Sequence, residues 1–324
     1  MRLAIIKLSA LGDIVHASFL PQIIKEELKD IEIDWFCEER FAGVLEYNPY
    51  IDNIIKIRLK KEPLKELKKI LKYKKYDKVV DLQGLIKSAI ISKILGRSYG
   101  FDKNSIREKL ASFIYDYRFY IPYEENIIIR NYKLIAKSLN INYSEDNIQD
   151  KQPSLFFDLK SQKNIEQYLR NDKKNILIIL GSSWDSKVYP KEKYLNIVNS
   201  IDANFLLSWG NEKEERDADF ISENSDAKKL RRTDLNALKA LVSKMDLIIG
   251  GDSGPTHFAW ALNRPSITIY GPTPSKRNSF KTDINLTIDC KKEIDANNLD
   301  KKDMCIRNID EKKIIAMARR LLNG

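Results

Sequence analysis

The sequence predicts an α/β protein of two domains, each built on a doubly wound parallel sheet. Short apolar runs of strand length alternate with helical patterns, which is typical of strand–helix–strand units whose strands are parallel. A polar stretch at residues 142–153 interrupts this alternation, which then starts again. Because 324 residues are enough for two domains, we predict domains at residues 1–153 and 154–324.

The first half opens with a predicted strand at residues 2–8, a tight turn at 9–13 and a helix at 14–28. Asp13 and His16 are three residues apart and so share a face at the start of that helix. In open parallel sheets the carboxyl ends of the strands border the ligand crevice. Asp13 is therefore a candidate general base, although an aspartate that only caps the helix would be inert.

Further strands are predicted at residues 31–36, 54–57 and 78–82, and the turn 83–88 follows the last of them. Pro63 opens a lysine-rich helix, whose periodicity predicts an inward face of Leu64, Leu67, Ile70 and Leu71. Residues 100–122 mix aromatic and basic side chains without a clear period, and we expect ligand contacts there. A helix at 126–139 ends this half.

The second half repeats the alternation of strands and helices. Its predicted strands are at residues 176–180, 205–208, 247–249 and 266–270, and a final amphipathic helix is predicted at 310–322. Ser182, Ser183 and Lys187 follow the first of these strands. Two hydroxyls can donate hydrogen bonds to phosphate oxygens, and an ammonium offsets their charge. This strand end is therefore a candidate phosphate site.

A glycine-rich loop, Gly250-Gly251-Asp252-Ser253-Gly254, leads into a helix with Pro255 at its start. The free N–H groups and positive dipole end of such a helix suit a phosphate. Because a carboxylate repels an anion, we expect Asp252 to accept hydrogen bonds from sugar hydroxyls instead. Asp252 and Ser253 acting only as helix caps is the structural alternative. The spacing matches neither the GxGxxG pattern nor a Walker loop.

The net charge of +10 is concentrated in one region. Residues 56–118 hold 18 Lys or Arg and 7 Asp or Glu, a balance of 18 − 7 = +11. Such a region indicates an anionic partner: nucleic acid, an acidic lipid surface or an acidic saccharide. Lysines on a solvated helix face are the alternative for any single position.

Composition excludes several classes of protein. Apolar runs are shorter than the ~18 residues of a membrane span, and no signal peptide is recognisable, so we expect a cytoplasmic protein. Cys37, Cys290 and Cys305 are widely spaced and predict neither a disulfide framework nor a zinc site. The two histidines, His16 and His257, form no metal-ligand cluster.

Five motifs in order carry a family resemblance: IKLSALGDIVHASFLP, DLQGLIKSA, GFDKNSIREKLAS, SWG, and GGDSGPTHFAWALNRPSITIYGPTPSKRN. Together they resemble the bacterial lipopolysaccharide heptosyltransferases, most of all the heptosyltransferase I type. The resemblance implies a GT-B fold, in which two Rossmann-like domains face a central cleft. It also implies an acceptor in the N-terminal domain and ADP-heptose in the C-terminal domain.

The implied reaction is an inverting transfer of L-glycero-D-manno-heptose from ADP-heptose to Kdo of Kdo-lipid A. ADP-heptose would be a co-substrate, with no metal or other cofactor. The protein would work in the cytoplasm, peripherally on the inner membrane. There the lysine-rich helix after Pro63 would face anionic lipid.

Residue roles follow from the same resemblance. Asp13 would be the catalytic base, and Lys187 would steady the departing ADP. The implied donor contacts are Ser182, Ser183, Lys187, Glu214, Thr233, Asp252, Ser253, Gly254 and His257. The register at Glu214 is open, because Glu212 and Glu215 are close to it. The acceptor candidates are Ser9 and Gly12, together with residues chosen by charge and location because the acceptor is anionic: Arg58, Lys60, Lys61, Lys87, Arg107 and Arg118.

Three other functions stay open at this point. A heptosyltransferase that acts on an inner-core heptose would share these motifs. A dinucleotide-binding oxidoreductase would share two Rossmann-like domains, although the GxGxxG pattern is missing. Basic residues interleaved with aromatics also occur in nucleic-acid-binding proteins. Nucleic acid is nevertheless not expected, because binding it requires no ordered pair of strand-end sites.

Overall fold

The computed structural model describes residues 1–59 and 61–323. The chain divides into two compact units, Met1–Ser154 and a second that begins at Leu155. Each unit contains one six-stranded sheet in which every described strand pair is parallel. The prediction of two parallel sheets is therefore confirmed.

The first unit alternates strands and helices along most of its length. Its strands are β1 (Arg2–Ile6), β2 (Glu32–Glu38), β3 (Asn53–Ile57), β4 (Tyr76–Asp81), β5 (Gly96–Phe101) and β6 (Tyr117–Phe119). Its α-helices are α1 (Leu11–Val15), α2 (Leu20–Glu27), α3 (Pro63–Ile70), α4 (Ile86–Leu95), α5 (Ile127–Leu139) and α6 (Asp146–Gln149). Two 3₁₀ helices span Glu39–Val44 and Lys109–Phe113.

The second unit follows the same pattern. Its strands are β7 (Asn175–Ile179), β8 (Asn204–Ser208), β9 (Lys228–Lys229), β10 (Leu247–Gly251), β11 (Ser266–Tyr270) and β12 (Asn285–Asp289). Its α-helices are α7 (Leu159–Ile165), α8 (Lys191–Ser200), α9 (Glu212–Glu223), α10 (Leu235–Ser243), α11 (Gly254–Ala261), α12 (Ser275–Asn278) and α13 (Glu311–Asn323). Three 3₁₀ helices span Glu166–Tyr168, Asp185–Lys187 and Cys305–Asn308.

Strand order fixes where each unit can bind a ligand. The orders are β3-β2-β1-β4-β5-β6 and β12-β11-β10-β7-β8-β9. In each sheet the order of the strands therefore reverses at the centre, between β1 and β4 in the first unit and between β10 and β7 in the second. Ligands of doubly wound sheets bind outside the carboxyl ends of the two strands at that reversal. The relevant strand ends are those of β1 and β4 in the first unit and of β7 and β10 in the second.

Both sheets are covered by apolar packing. The central strands are buried over nearly their whole length, for example β10 and β11, as expected for parallel strands with packing on both faces. The core of the second unit includes Ile176, Ile249 and Ile267 together with Ile314 of α13. A rigid sheet of this kind holds the loops at its carboxyl edge in fixed positions.

The structure corrects two local predictions. The predicted helix at 14–28 is two helices, α1 and α2, separated by turns. On α3, Ile70 is buried, but Leu64 and Leu71 are exposed, so the predicted inward face is wrong at those two positions. Glu66, one turn before Ile70, is buried on that helix instead. Leu64 is the second residue of α3 and Leu71 follows its last residue, so both lie at the ends of a short helix, where apolar periodicity does not report burial.

The expectation that no cysteines pair is also wrong. Cys290, just after β12, forms a disulfide with Cys305, and their Cα atoms are 5.9 Å apart. The two lie 15 residues apart in sequence and meet only because the 3₁₀ helix Cys305–Asn308 packs near the end of β12. Cys37 is a buried free thiol, and burial raises its pKa to about 12.

Candidate active site

Two glycines at the end of β10 allow the adjacent loops to approach closely. A Cβ at Gly250 would lie 2.6 Å from the Thr256 hydroxyl and 2.9 Å from Ile179 of β7. A Cβ at Gly251 would lie 2.5 Å from the Lys187 carbonyl oxygen. Side chains at these positions would therefore push apart the β7 loop, the β10 loop and α11.

Asp252 is the centre of the resulting cluster. Its Oδ2 accepts hydrogen bonds from the Lys187 ammonium and from Thr273 Oγ1, each at 2.7 Å. Its Oδ1 is 3.0 Å from His257 Nε2, which donates to the carboxylate. The Asp252 and Lys187 side chains are only 7% and 11% exposed. Three elements thus converge on one buried carboxylate.

The Asp252 carboxylate is ionised in this environment. Burial alone would raise its pKa, but the Lys187 charge and the His257 hydrogen bond outweigh burial and hold the pKa far below its usual range. Because Lys187 is within 2.7 Å, the pair carries little net charge. The repulsion that the sequence predicted between Asp252 and a phosphate is therefore offset within the protein.

The cluster also limits what Asp252 can bind. A carboxylate has roughly four lone-pair positions, and Lys187, Thr273 and His257 occupy three of them. One lone-pair position on Oδ1 is left. Asp252 can therefore accept only a single hydrogen bond from a sugar hydroxyl, which is less than the role expected from the sequence. Lys187 retains two ammonium N–H donors beyond the one directed at Asp252.

Hydroxyl groups lie around the start of α11. Ser182 Oγ donates to the Asp252 carbonyl oxygen at 3.0 Å, which joins the β7 and β10 loops. Ser253 is the N-cap of α11, but its Oγ contacts Thr256 Oγ1 at 3.0 Å and makes no side-chain cap. The first-turn N–H groups that begin at Gly254 therefore need an acceptor from elsewhere. Ser183 is exposed on the β7 loop.

Glu214 is placed at the same edge of the sheet. It lies in the first turn of α9 and accepts a hydrogen bond from the Gly210 N–H at 2.7 Å. Its carboxylate packs on Gly181, where a Cβ would come within 2.2 Å of it. Glu215 pairs instead with Lys229, and Glu212 is exposed. Of the three possible registers, Glu214 is the residue that faces the β7 loop.

Thr233 lies in the loop between β9 and α10, two residues before the first residue of that helix. The loop follows β9, the strand next to β8 in the sheet. Ser182, Lys187, Glu214, Thr233 and Asp252 thus all lie in the segments that follow strands at the carboxyl edge of one sheet.

In the first unit, Asp13 lies at the reversal point between β1 and β4. It is half-buried, and its Oδ2 accepts a hydrogen bond from the Ala10 N–H at 2.9 Å, so the capping role that the sequence left open is present. Its other oxygen, Oδ1, makes no hydrogen bond to any of the described residues. His16, which the sequence placed on the same face, is buried at the end of α1.

Gln83 holds the loop that carries Asp13. Its Oε1 accepts hydrogen bonds from the N–H groups of Leu8 and Ser9, both at 3.0 Å. Gln83 lies two residues after the end of β4, so this contact ties the β4 loop to the β1 loop across the reversal point. The Ser9 side chain and Gly12 are half-buried in the same turn.

A buried carboxylate in turn fixes Gln83. Asp81 Oδ1 accepts the N–H groups of Gln83 and Gly84 at 2.8 and 3.3 Å, and Oδ2 accepts the Tyr115 hydroxyl at 2.6 Å. Complete burial raises the Asp81 pKa, although these hydrogen bonds act to lower it. Gly84 has φ of +70°, a conformation that favours glycine.

The acceptor candidates are exposed around the first sheet. Lys61, Lys87 and Arg107 follow β3, β4 and β5, so they share the carboxyl edge with Asp13. Arg58 also follows β3, but its guanidinium makes two hydrogen bonds to Glu39 at 2.8 and 2.6 Å. Arg118 lies within the end strand β6, away from that edge. Lys60 lies outside the described residues.

Sequence reasoning missed Thr273, Gln83, Asp81 and Tyr115. Thr273 follows β11, the neighbour of β10, and Gln83 follows β4, the neighbour of β1. Strand-end position next to the reversal point was the available signal for both. Tyr115 gave no such signal, because its hydroxyl reaches Asp81 from a loop 34 residues away.

The described part of the chain contains neither a metal-binding cluster nor a membrane-spanning helix. Within residues 1–59 and 61–323, no group of three or more His, Cys, Asp or Glu side chains is arranged to hold a metal ion. No helix in the same described stretches has both the length and the apolar character that crossing a membrane requires.

Comparison with known proteins identifies the family. The family model of glycosyltransferase family 9 (heptosyltransferase) matches residues 64–304. A lipopolysaccharide heptosyltransferase 1 of Campylobacter coli is 43% identical over an alignment of 338 residues that covers 99% of both chains. The structure of E. coli heptosyltransferase WaaC with ADP has a TM-score of 0.80 and 23% identity, covering 99% of this chain and 100% of that chain.

The structure of the same E. coli protein with ADP-2-deoxy-2-fluoro heptose has a TM-score of 0.77 and 23% identity over 100% of both chains. These likenesses confirm the predicted GT-B fold class. The family match over most of the chain and the full-length relative show that this chain is an enzyme of glycosyltransferase family 9, the heptosyltransferases.

Proposed function

We propose that this enzyme transfers L-glycero-D-manno-heptose from ADP-heptose to Kdo of Kdo-lipid A, with inversion at the anomeric carbon. The observation that carries the proposal is the charge-compensated Lys187–Asp252–His257 cluster at the start of α11. The C. coli relative is named a lipopolysaccharide heptosyltransferase 1, and the E. coli structures contain ADP and a fluorinated ADP-heptose. Both facts support this donor and this reaction.

The donor is proposed to bind at the carboxyl edge of the second sheet. The first-turn N–H groups of α11 receive the diphosphate, together with the Ser183 hydroxyl and the Ser182 hydroxyl, which exchanges its bond to the Asp252 carbonyl oxygen for one to phosphate. The N-cap side chain does not occupy those N–H groups, which supports this placement. Glu214 accepts hydrogen bonds from the ribose, and the backbone near Thr233 meets the adenine.

The role of general base is assigned to Asp13. Its carboxylate removes the proton of the attacking Kdo hydroxyl while that oxygen bonds to the anomeric carbon of heptose. The bond from this carbon to the diphosphate oxygen breaks, and its electron pair leaves with ADP. Attack opposite the leaving group inverts the anomeric centre, as in inverting glycoside chemistry.

Lys187 is assigned to the leaving group. Negative charge grows on the diphosphate as the bond breaks, and two Lys187 N–H donors are available to stabilise it. Because this cationic role belongs to a side chain, transfer is expected to continue after metal ions are chelated with EDTA.

The acceptor is proposed to bind to the first unit, where cationic side chains surround the Asp13 edge. Ser9 and Gly12 border the base, and Lys61, Lys87 and Arg107 are available for the Kdo carboxylate and the lipid A phosphates. Arg58 takes part only by exchanging its Glu39 partner, and Lys60 and Arg118 are further candidates by charge. We propose that the enzyme works peripherally on the cytoplasmic face of the inner membrane.

The test is release of ADP from ADP-heptose with and without Kdo-lipid A, for the wild type and Asp13→Ala. Release that depends on Kdo-lipid A and disappears in the variant supports the reaction and its base. Transfer to a heptosylated core but not to Kdo-lipid A would identify a different acceptor. Failure to bind ADP-heptose would overturn the proposal.

A further inference from the structure

Large apolar side chains that remain exposed are concentrated in the first unit. Among the described residues, 12 such side chains are exposed, and only Leu159 and Ile284 belong to the second unit. Four of the others lie on α4 and on the 3₁₀ helix Lys109–Phe113, which pack against each other. We call these four the α4 apolar patch: Ile86, Ile90, Leu110 and Phe113.

The local geometry places each pair of patch residues on one side of its helix. Ile86 and Ile90 are one turn apart on α4 and share its outer face. Leu110 and Phe113 are three apart in a helix with about three residues per turn, so they project together, 68% and 63% exposed. Ala111 and Ser112 between them are buried and anchor this turn.

One hydrogen bond joins the two halves of the patch. The Ile86 N–H donates to Glu108 Oε2 at 2.7 Å, which connects the start of α4 to the residue just before the 3₁₀ helix. The two helices that carry the patch are therefore joined at the amino end of α4. Gln83, three residues before Ile86, contacts the loop of Asp13, so the patch adjoins the proposed acceptor edge.

The charges around the patch are cationic. Lys87, Arg107 and Lys109 are exposed, and no ion pair joins any of them to a carboxylate among the described residues. Glu108 is the only acidic residue from 103 to 113, and its carboxylate is engaged at the start of α4. Apolar side chains with a basic margin are typical of surfaces that enter the interface of anionic membranes.

The same charges disfavour a second copy of the chain as the occupant. A twofold dimer through this patch would place each basic margin against its own copy. Like charges would then meet at close range, and none of the described residues of the patch supplies a carboxylate to offset them, because Glu108 is engaged at the start of α4. An anionic lipid surface, in contrast, supplies the charge that the margin lacks and an apolar layer below it.

We infer that the α4 apolar patch inserts into the interfacial layer of an anionic bilayer and turns the Asp13 edge of the first unit toward that surface. Leu110 and Phe113, the most exposed of the four, enter the acyl boundary, while Lys87, Arg107 and Lys109 contact headgroup phosphates. The inference rests on the proposed function in one respect: the membrane contact would bring a membrane-borne acceptor to Asp13. Vesicle binding itself is independent of that function.

The experiment is sedimentation of the full chain with vesicles of phosphatidylethanolamine and phosphatidylglycerol, compared with vesicles of phosphatidylcholine alone. The variants are Leu110→Ser, Phe113→Ser and the double variant, with Leu159→Ser as the matched control for an exposed leucine elsewhere. Each patch substitution is expected to weaken binding to the anionic vesicles about tenfold, and Leu159→Ser to leave it unchanged. Phe113→Trp keeps a large apolar side chain and should retain binding.

Depth is measured with the Phe113→Trp variant and brominated lipids. Quenching beyond that of the wild-type tryptophans is expected on anionic vesicles, because the new indole reaches the acyl boundary. Equal binding by the wild type and the double serine variant, or no added quenching, would overturn the inference. One alternative result is that a patch substitution changes the mass of the free protein in analytical ultracentrifugation and leaves vesicle binding unchanged. That result would show that the patch is a dimer interface.

Transfer assays separate this inference from the proposed function. The double serine variant should lose transfer to vesicle-borne Kdo-lipid A and keep transfer to a deacylated, water-soluble Kdo acceptor. Loss of both would mean that the patch acts within the catalytic site and not at a membrane. If the wild type transfers to neither acceptor, the proposed function fails, while vesicle binding still tests the patch.

Discussion

Breaking the buried pair between Lys187 and Asp252 should destabilise the second unit far more than breaking an exposed pair of the same length. The Lys187→Met change keeps the length of the side chain and removes its charge. At 2.7 Å and an effective dielectric constant of about 20, the lost attraction is about 6 kcal/mol. His257 and Thr273 still hold the carboxylate, so a net cost of about 3–5 kcal/mol is expected, the range for an unpaired buried charge.

The exposed pair of Lys213 and Asp185 provides the control. Its two atoms are also 2.7 Å apart, but the side chains are 57% and 72% exposed. Solvent screens such pairs, so Lys213→Met should cost far less stability than Lys187→Met. The two pairs have equal distances and differ in burial. The difference between their effects on stability therefore reports the contribution of the low-dielectric surroundings.

Tryptophan fluorescence during thermal unfolding is a suitable assay. Trp184, Trp209 and Trp260, three of the four tryptophans, are in the second unit. For a unit of this size each kcal/mol shifts Tm by roughly 2–4 °C, so Lys187→Met should lower it by roughly 6–20 °C. In a double-mutant cycle, Lys187→Met with Asp252→Asn should cost less than the sum of the single changes.

The effect should also depend on pH. The folded-state pKa of Asp252 is depressed, so its contribution to stability is present above the ordinary Asp pKa of about 3.9 and is lost as the pH falls below that value. The difference in Tm between wild type and Lys187→Met should therefore narrow in acid. Additive single changes, or a shift no larger than that of Lys213→Met, would refute the assignment of Asp252 as a charge held by Lys187.

Three further predictions concern the first unit. Asp13→Asn should lower turnover by about 10²–10⁴-fold and leave ADP affinity in calorimetry unchanged; normal turnover would exclude Asp13 as the base. Gln83→Ala removes the acceptor of two backbone N–H groups and should lower kcat with little change in the KM for ADP-heptose, while Gln83→Glu restores kcat; an equal loss in both variants would contradict a positioning role. Tyr115→Phe leaves one oxygen of the buried Asp81 without its donor and should cost about 1–3 kcal/mol at neutral pH. Because the folded-state pKa of Asp81 is raised, this cost should shrink as the pH falls and the carboxyl is protonated; a cost independent of pH in chemical denaturation would argue against a charged Asp81.

Local sequence patterns were sufficient to predict the parallel sheets, because buried strands and strand-end glycines leave strong signals. They could not predict pairings between distant loops. Lys187 and Asp252 are both recognisable in the sequence as charged residues at strand ends. Their 2.7 Å contact, however, depends on the strand order that brings β7 beside β10. The exposure of Leu64 and Leu71 likewise depends on their places at the two ends of α3, which no helical period reports.

The same strand order explains why, in each unit, side chains of one loop hold the neighbouring loop across the reversal point. In the first unit the β4 loop holds the β1 loop through Gln83, and in the second the β7 loop holds the β10 loop through Ser182 and Lys187. At such a reversal the two adjacent connections leave in opposite directions, so nothing in the sheet itself fills the space between them. A side chain must cross that space to fix the loops. In the second unit the crossing side chain is a cation, and it also neutralises the carboxylate that would otherwise oppose a phosphate at the start of α11.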